Sequence, residues 1–260
     1  MENQAVLYSA ENEIATITLN RPSSLNSMNE TLVNELFSAL QMAEAANDVR
    51  VIILTGNGRA FCAGGDLSHL ATLQDVVLAQ SFITKVGDLV EKLMSLTKPI
   101  IAMVNGIAAG AGFNLALACD ILYCAKSARF AQSFAKVGLV PDCGGMYLLP
   151  RIIGLHKAKE LMFTGDIIDS ATADKLGLIN KVVADEALSS ETYAFAGKLK
   201  TSAPLAIHLI KQTLNHTDTL TLQNLLDQEA ALQTICLQTA DHKEGLLAFK
   251  EKRAPIFTGK

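Results

Sequence analysis

Long apolar runs, basic clusters, histidine and cysteine are all sparse in this 260-residue chain, and each scarcity removes a class of function. No apolar stretch approaches the ~20 residues that a membrane-spanning helix needs. Residues 1–20 mix charged, polar and apolar types without the apolar core of a secretory leader, so none is expected. Net charge is −4 with no basic run, which makes nucleic acid a poor partner. Five cysteines (Cys62, Cys119, Cys124, Cys143, Cys236) are scattered and odd in number. That fits reduced thiols in a cytoplasmic protein better than a disulfide framework or a zinc site. The histidines His69, His156, His208, His216 and His242 form no i,i+4 pair, so no metal is expected. No G-x-S-x-G occurs, which disfavours a serine hydrolase. Gly110-Ala-Gly-Phe-Asn-Leu115 and Gly56-Asn-Gly-Arg-Ala-Phe61 both fail the dinucleotide fingerprint at its last position.

Apolar residues make up 50% of the chain and charged residues 18%, enough for an extensive core. The length suits one large domain, or a domain with a helical appendage. Ile14–Leu19 alternates as a strand should, and Arg21-Pro-Ser-Ser ends it. Val51–Thr55, Ile100–Val104 and Ile121–Ala125 read as buried strands. Asn29 can cap a helix whose stripe is Leu32, Val33, Leu36, Phe37 and Leu40. Another helix is expected over Ser81–Leu96, where Asp88 and Glu91 suit a solvated face better than a reach into the functional site from above. Strand–helix alternation favours parallel sheets covered by helices, and composition does not separate the possible α/β folds. After Pro204 the pattern turns wholly helical, dividing a core (1–203) from a helical region (204–260). There Leu222, Leu225, Leu226, Leu232, Ile235 and Cys236 form an apolar face that needs the body or another subunit to cover it.

Two glycine turns carry the chemistry. One follows Val51–Thr55, in Ala60-Phe-Cys-Ala-Gly-Gly-Asp-Leu67; the other follows Ile100–Val104, in Asn105-Gly-Ile-Ala-Ala-Gly-Ala-Gly112. A small-residue loop feeding a helix leaves N–H groups unpaired at the positive end of the helix dipole. Such a site suits a phosphate or an oxyanion formed during catalysis. Taken alone, Asp142 in Leu139-Val-Pro-Asp-Cys143 could equally start a turn on the surface, and Asp66 reads as a helix cap.

These stretches, in this order, resemble the enoyl-CoA hydratase/isomerase (crotonase) superfamily. The resemblance continues through Ala118-Cys-Asp-Ile121, Gly138-Leu-Val-Pro-Asp-Cys-Gly-Gly145, Leu161-Met-Phe-Thr-Gly-Asp166, Ala173-Asp-Lys-Leu-Gly-Leu178 and Phe249-Lys-Glu-Lys-Arg253. It therefore covers nearly the whole chain. It implies an α/β fold, the crotonase-like ββα spiral, with a C-terminal helical trimerisation region. It also implies an acyl-CoA substrate, no permanently bound cofactor, and a homotrimer or dimer of trimers. The implied oxyanion donors are the N–H groups of Ala63 and Ala111. The implied coenzyme A contacts are Ser24, Leu25, Gly64, Gly65, Asp66 and Leu67, with Phe249 and Lys252 reaching a neighbouring subunit's CoA.

Two departures from the hydratases stand out. Their two water-handling glutamates correspond by spacing to Asn114 and Phe134, neither of which exchanges a proton near neutral pH. Losing a positioned acid or base removes about 10²–10⁴-fold each. Phe134 suits a dry pocket wall; Asn114 suits either a contact to acyl chain or water, or a packed polar residue. His69 keeps a small claim on the pocket mouth, and Cys143 suits a buried, inert thiol. The remaining acid is Asp142, and its surroundings look like the branch of ring-1,2-epoxyphenylacetyl-CoA and Δ3,Δ2-enoyl-CoA isomerases. The expected activity is thus double-bond migration in fatty-acid or aromatic-acid degradation, with Asp142 as acid/base. The rivals are an enoyl-CoA hydratase and a non-catalytic acyl-CoA-binding protein. A dehalogenase would need a histidine base that Leu73–Leu96 lacks.

Overall fold

The computed structural model describes residues 4–260. Its strands are β1 (Val6–Glu11), β2 (Ile14–Leu19), β3 (Val51–Gly56), β4 (Ala60–Cys62), β5 (Ile100–Val104), β6 (Ile107–Ala109), β7 (Ile121–Ala125), β8 (Arg129–Ala131), β9 (Ile167–Asp169) and β10 (Lys181–Val183). The helices of the first half are α1 (Glu30–Ala45), α2 (Leu67–Leu70), α3 (Val76–Ser95), α4 (Ala111–Leu117) and α5 (Gly145–Ile153). Those of the second half are α6 (Leu155–Thr164), α7 (Ser170–Lys175), α8 (Leu188–Leu199), α9 (Pro204–Leu214), α10 (Leu222–Leu237) and α11 (Ala240–Glu251).

The strands form two sheets, ordered β1-β2-β3-β5-β7-β10 and β4-β6-β8-β9. β1 and β2 make an antiparallel hairpin whose turn residues Asn12 and Glu13 both have positive φ, the geometry that matches strand twist. From β3 onward the large sheet is parallel. Each pair β3–β4, β5–β6 and β7–β8 places its first strand in the large sheet and its second in the small one. Helices then return the chain, so both sheets advance by one strand per unit. This is a ββα spiral.

The small sheet escapes sequence reading because its strands have only three residues each, too few to display a period. In the large sheet β3, β5 and β7 are legible because both their faces are buried, which turns them into continuous apolar runs. The edge strands β1 and β10, exposed or half-buried over most of their length, are not. Ile52, Leu54, Ala102 and Val104 face the core with α1 and α3, while Val51, Ile53, Ile101 and Met103 face the side covered by Leu188 and Ala196 of α8. Asn29 caps α1, its side chain accepting from Leu32 N–H. The helix expected at Ser81 begins earlier, at Val76, because Asp75 accepts from the N–H groups of Val77 and Leu78. Asp88 and Glu91 are exposed on it.

The C-terminal region is stitched to the core by an ion pair between a buried lysine and a partly exposed carboxylate. Lys211 on α9 is only 6% exposed, and its ammonium lies 2.8 Å from both Asp120 Oδ2 and the Leu93 carbonyl. The same Asp120 oxygen accepts the Ile100 N–H that opens β5. By contrast α10 contains no buried residue; Leu222, Leu226 and Ile235 remain exposed. No helix among the described residues is long and apolar enough to cross a membrane.

Candidate active site

The parallel pairing of β4 with β6 brings the two glycine turns side by side. Gly64 has φ 102, and a Cβ there would stand 2.9 Å from the Ala109 carbonyl oxygen and 3.5 Å from Ala111 N. A Cβ on Gly112 would meet the Cys62 carbonyl oxygen at 2.2 Å. Both positions exclude a side chain, because the two backbones nearly touch.

The donor expected at Ala63 is corrected by this geometry. Ala63 N–H donates to the Leu25 carbonyl at 3.0 Å, so it is not available to a ligand. Two residues later the chain forms a one-residue parallel bridge with Met28. Met28 N–H donates to Gly64 O at 2.7 Å, and Asp66 N–H donates to Met28 O at 2.9 Å. In extended backbone the intervening N–H of Gly65 points the opposite way. Among the described residues it has no acceptor. Ala111 opens α4, where the first N–H groups lack intrahelical partners. Gly65 and Ala111 thus each carry a free N–H, one on either turn, whereas Ala63 does not. The signal that separates Gly65 from Ala63 is strand alternation against Met28, which needs the pairing partner to be known.

Both donors border a cavity of about 470 Å³. Leu70, Phe82 and Val86 form one wall, and Phe134, Val137 and Leu139 the other. Among the described residues, Ser133, Lys136 and Asp142 are the only polar side chains lining it. Asp142 Oδ1 is buried without a hydrogen-bond partner among the described residues. Burial raises its carboxyl above the usual range, against weaker opposing hydrogen bonds from its own backbone and Cys143. The Cys143 thiol is pushed far up by burial and the adjacent carboxylate, which makes it inert. Phe134 is buried on the wall as expected.

Asn114 does not line the cavity. It is 0% exposed, donating from Nδ2 to the Asp142 carbonyl at 2.8 Å and accepting at Oδ1 from Gln132 Nε2 at 2.7 Å. The contact to substrate or water is therefore replaced by the packed alternative. His69 sits behind the wall with its ring edge-on to Phe82, centroids 4.7 Å apart.

The remaining expected contacts divide into two groups. Asp66 caps α2 by accepting from Ser68 and His69 N–H, and pairs with Arg21 at 2.9 Å. Burial pushes its carboxyl up, but the Arg21 guanidinium and the two N–H groups outweigh that and hold it below the usual range. Ser24 and Leu25 lie beside the first turn, since Leu25 supplies the acceptor for Ala63, and Leu67 is exposed at the cavity mouth. Phe249, 82% exposed on α11, and Lys252, at its C-terminal cap, are not among the residues lining the cavity of their own chain.

Comparison with known proteins agrees with the geometry. The family model described as enoyl-CoA hydratase/isomerase matches residues 9–260. The chain is 42% identical to the 1,2-epoxyphenylacetyl-CoA isomerase of Escherichia coli (strain K12), over 98% of both chains. It is 35% identical to the trans-2-decenoyl-[acyl-carrier-protein] isomerase of Streptococcus mutans, over the full length of both. Among solved structures, the enoyl-CoA hydratase of Bacillus anthracis superposes with a TM-score of 0.94 at 34% identity, covering 99% of this chain and 100% of that one.

Proposed function

Because the chain belongs to the enoyl-CoA hydratase/isomerase family, with the crotonase fold, we propose that it moves the double bond of an enoyl-CoA thioester, using Asp142 as its single acid/base. The observation that carries this reading is the composition of the cavity. One carboxylate, Asp142, shares a mostly apolar cavity with two free N–H groups. The other polar side chains lining it, Ser133 and Lys136, are neither carboxylates nor general bases near neutral pH.

In this mechanism the thioester oxygen accepts hydrogen bonds from Gly65 N–H and Ala111 N–H. Polarisation of the carbonyl acidifies the hydrogen on C2. Asp142 takes that proton, and the electron pair of the C–H bond spreads over a dienolate whose negative oxygen the two N–H groups hold. A donor of this kind is worth about 2.7–4 kcal/mol of barrier. Asp142 then returns the proton at C4, and the double bond settles between C2 and C3. One residue serves both carbons because they lie on one face of a planar intermediate. Burial makes the ionised carboxylate a stronger base than an exposed one. Phe134 and its apolar neighbours keep the space dry, which strengthens the oxyanion contacts.

Coenzyme A would lie along the first turn, past Leu25, Gly64 and Leu67, with Ser24 and Asp66 at its edge. Phe249 and Lys252 would complete this site only from a second copy of the chain. The uncovered apolar face of α10 supports such an assembly, as a trimer or a dimer of trimers. A hydratase is the second reading, since several relatives carry that name. It is disfavoured because Asn114 is packed away and Phe134 cannot move a proton.

Incubating the protein with a 3-enoyl-CoA in D₂O tests the proposal. The expected result is migration to the 2-enoyl thioester with no need for added metal or nicotinamide. Deuterium should appear at C4 only to the extent that the Asp142 carboxyl exchanges with solvent before it returns the proton. Absence of migration, or a requirement for either addition, contradicts it.

A further inference from the structure

We propose that Asn114 is a positioning residue that ties the base Asp142 to the oxyanion helix, an inference that rests on the isomerase reading. Asp142 opens a tight turn in which Cys143 (φ 48) and Gly144 (φ 67) are both left-handed, and Gly145 N–H donates back to Asp142 O at 2.9 Å. Cys143 is an unfavourable residue for that conformation, so the turn needs a hold from outside. The Asn114 amide supplies it through the bond to the same Asp142 carbonyl.

Asn114 is itself fixed in two ways. Gln132, 0% exposed, donates to its Oδ1 and so sets which way the amide faces. A Cβ on Gly145 would meet Asn114 Nδ2 at 2.2 Å and Cγ at 2.5 Å, so the amide lies flat against the bare backbone of the turn. Asn114 sits one turn into α4, whose first N–H is the oxyanion donor Ala111. Gln132 directly follows β8, and Phe134 lies two residues beyond it. The Gln132–Asn114–Asp142 chain thus joins donor, wall and base into one rigid unit. It also fills the place where the related hydratases carry an acid. A glutamate at position 114 would aim an anion at the Asp142 carbonyl rather than at a water.

Two substitutions leave the cavity lining unchanged. Asn114→Asp keeps an acceptor for Gln132 but removes the donor to Asp142. Gln132→Met removes only the bond to Asn114, because Gln132 Oε1 has no partner among the described residues. Three quantities are measured in each: kcat for 3-enoyl-CoA migration, KM, and the thioester carbonyl stretch of bound butanoyl-CoA, which reports the oxyanion contacts. For Asn114→Asp a fall in kcat of about 10²-fold is expected, with KM and the carbonyl shift nearly unchanged. For Gln132→Met a smaller fall with the same pattern is expected, and this variant decides the matter should Asn114→Asp fail to fold. Wild-type kcat in both overturns the proposal. So does a parallel loss of kcat, affinity and carbonyl shift, which a merely structural role would give. Asp142→Asn run alongside separates the two levels. If that variant keeps its turnover, the isomerase reading itself fails; if it alone is inactive, only the positioning role does.

Discussion

Replacing Asp142 by Asn is expected to lower kcat for double-bond migration by at least about 10²-fold while leaving acyl-CoA affinity nearly intact. The amide matches the carboxyl in shape but exchanges no proton near neutral pH. The groups that bind the thioester, Gly65 N–H, Ala111 N–H and the apolar walls, are untouched. Steady-state kinetics with a 3-enoyl-CoA, together with titration of a saturated acyl-CoA, checks both halves. Unchanged turnover removes Asp142 from the mechanism. The pH dependence follows from the same burial. The ionised carboxylate is the working base and its pKa is raised, so wild-type activity falls with acid from a higher pH than an exposed aspartate would give. For stability the sign reverses. A raised carboxyl pKa favours the fold fully below the unfolded value of about 3.9, and that contribution is lost as pH rises through the folded value. At pH 7 the buried anion is a burden, so Asp142→Asn should melt higher than wild type. The difference should shrink in acid.

The second large effect concerns folding. Lys211→Met is expected to destabilise the protein by about 1–3 kcal/mol, because it leaves the partly exposed Asp120 carboxylate without its cation and the carbonyls it holds without their donor. Lys211 holds Asp120, the Leu93 carbonyl and, at 3.4 Å, the Lys98 carbonyl, so three core segments lose their shared donor together. Burial already raises the Asp120 carboxyl against the pull of Lys211. Lowering the pH should therefore protonate Asp120 and reduce the loss. Denaturant unfolding of Lys211→Met and of Lys211→Met/Asp120→Asn measures it, and the double variant should recover much of the stability. A single variant as stable as wild type shows that the pair does not anchor α9.

How much of this was legible in the sequence depended on whether a feature was local. Strands β2, β3, β5 and β7 of the large sheet, the Asn29 and Asp66 caps and the apolar face of α10 follow from neighbours a few residues apart. The edge strands β1 and β10, exposed or half-buried over most of their length, do not. The two glycine turns were equally visible, but which N–H faced the ligand was not. That choice turns on a one-residue alternation set by Met28 and by the Leu25 carbonyl, both nearly 40 residues upstream. Asn114 could not be placed because its partners, Gln132 and Asp142, lie 18 and 28 residues away. The Lys211–Asp120 pair spans 91 residues, and nothing in the local pattern of either residue announces it.

The most direct test of a one-carboxylate isomerase compares two reactions of the unmodified protein at one chain length. Migration of a 3-enoyl-CoA and water addition to the matching 2-enoyl-CoA are followed as kcat/KM under identical conditions. Asp142 shuttles one proton within a dienolate, and neither Asn114 nor Phe134 can generate hydroxide. Migration should therefore exceed hydration by at least about 10²-fold. Hydration faster than migration would contradict the assignment and require water-handling groups that the cavity does not contain.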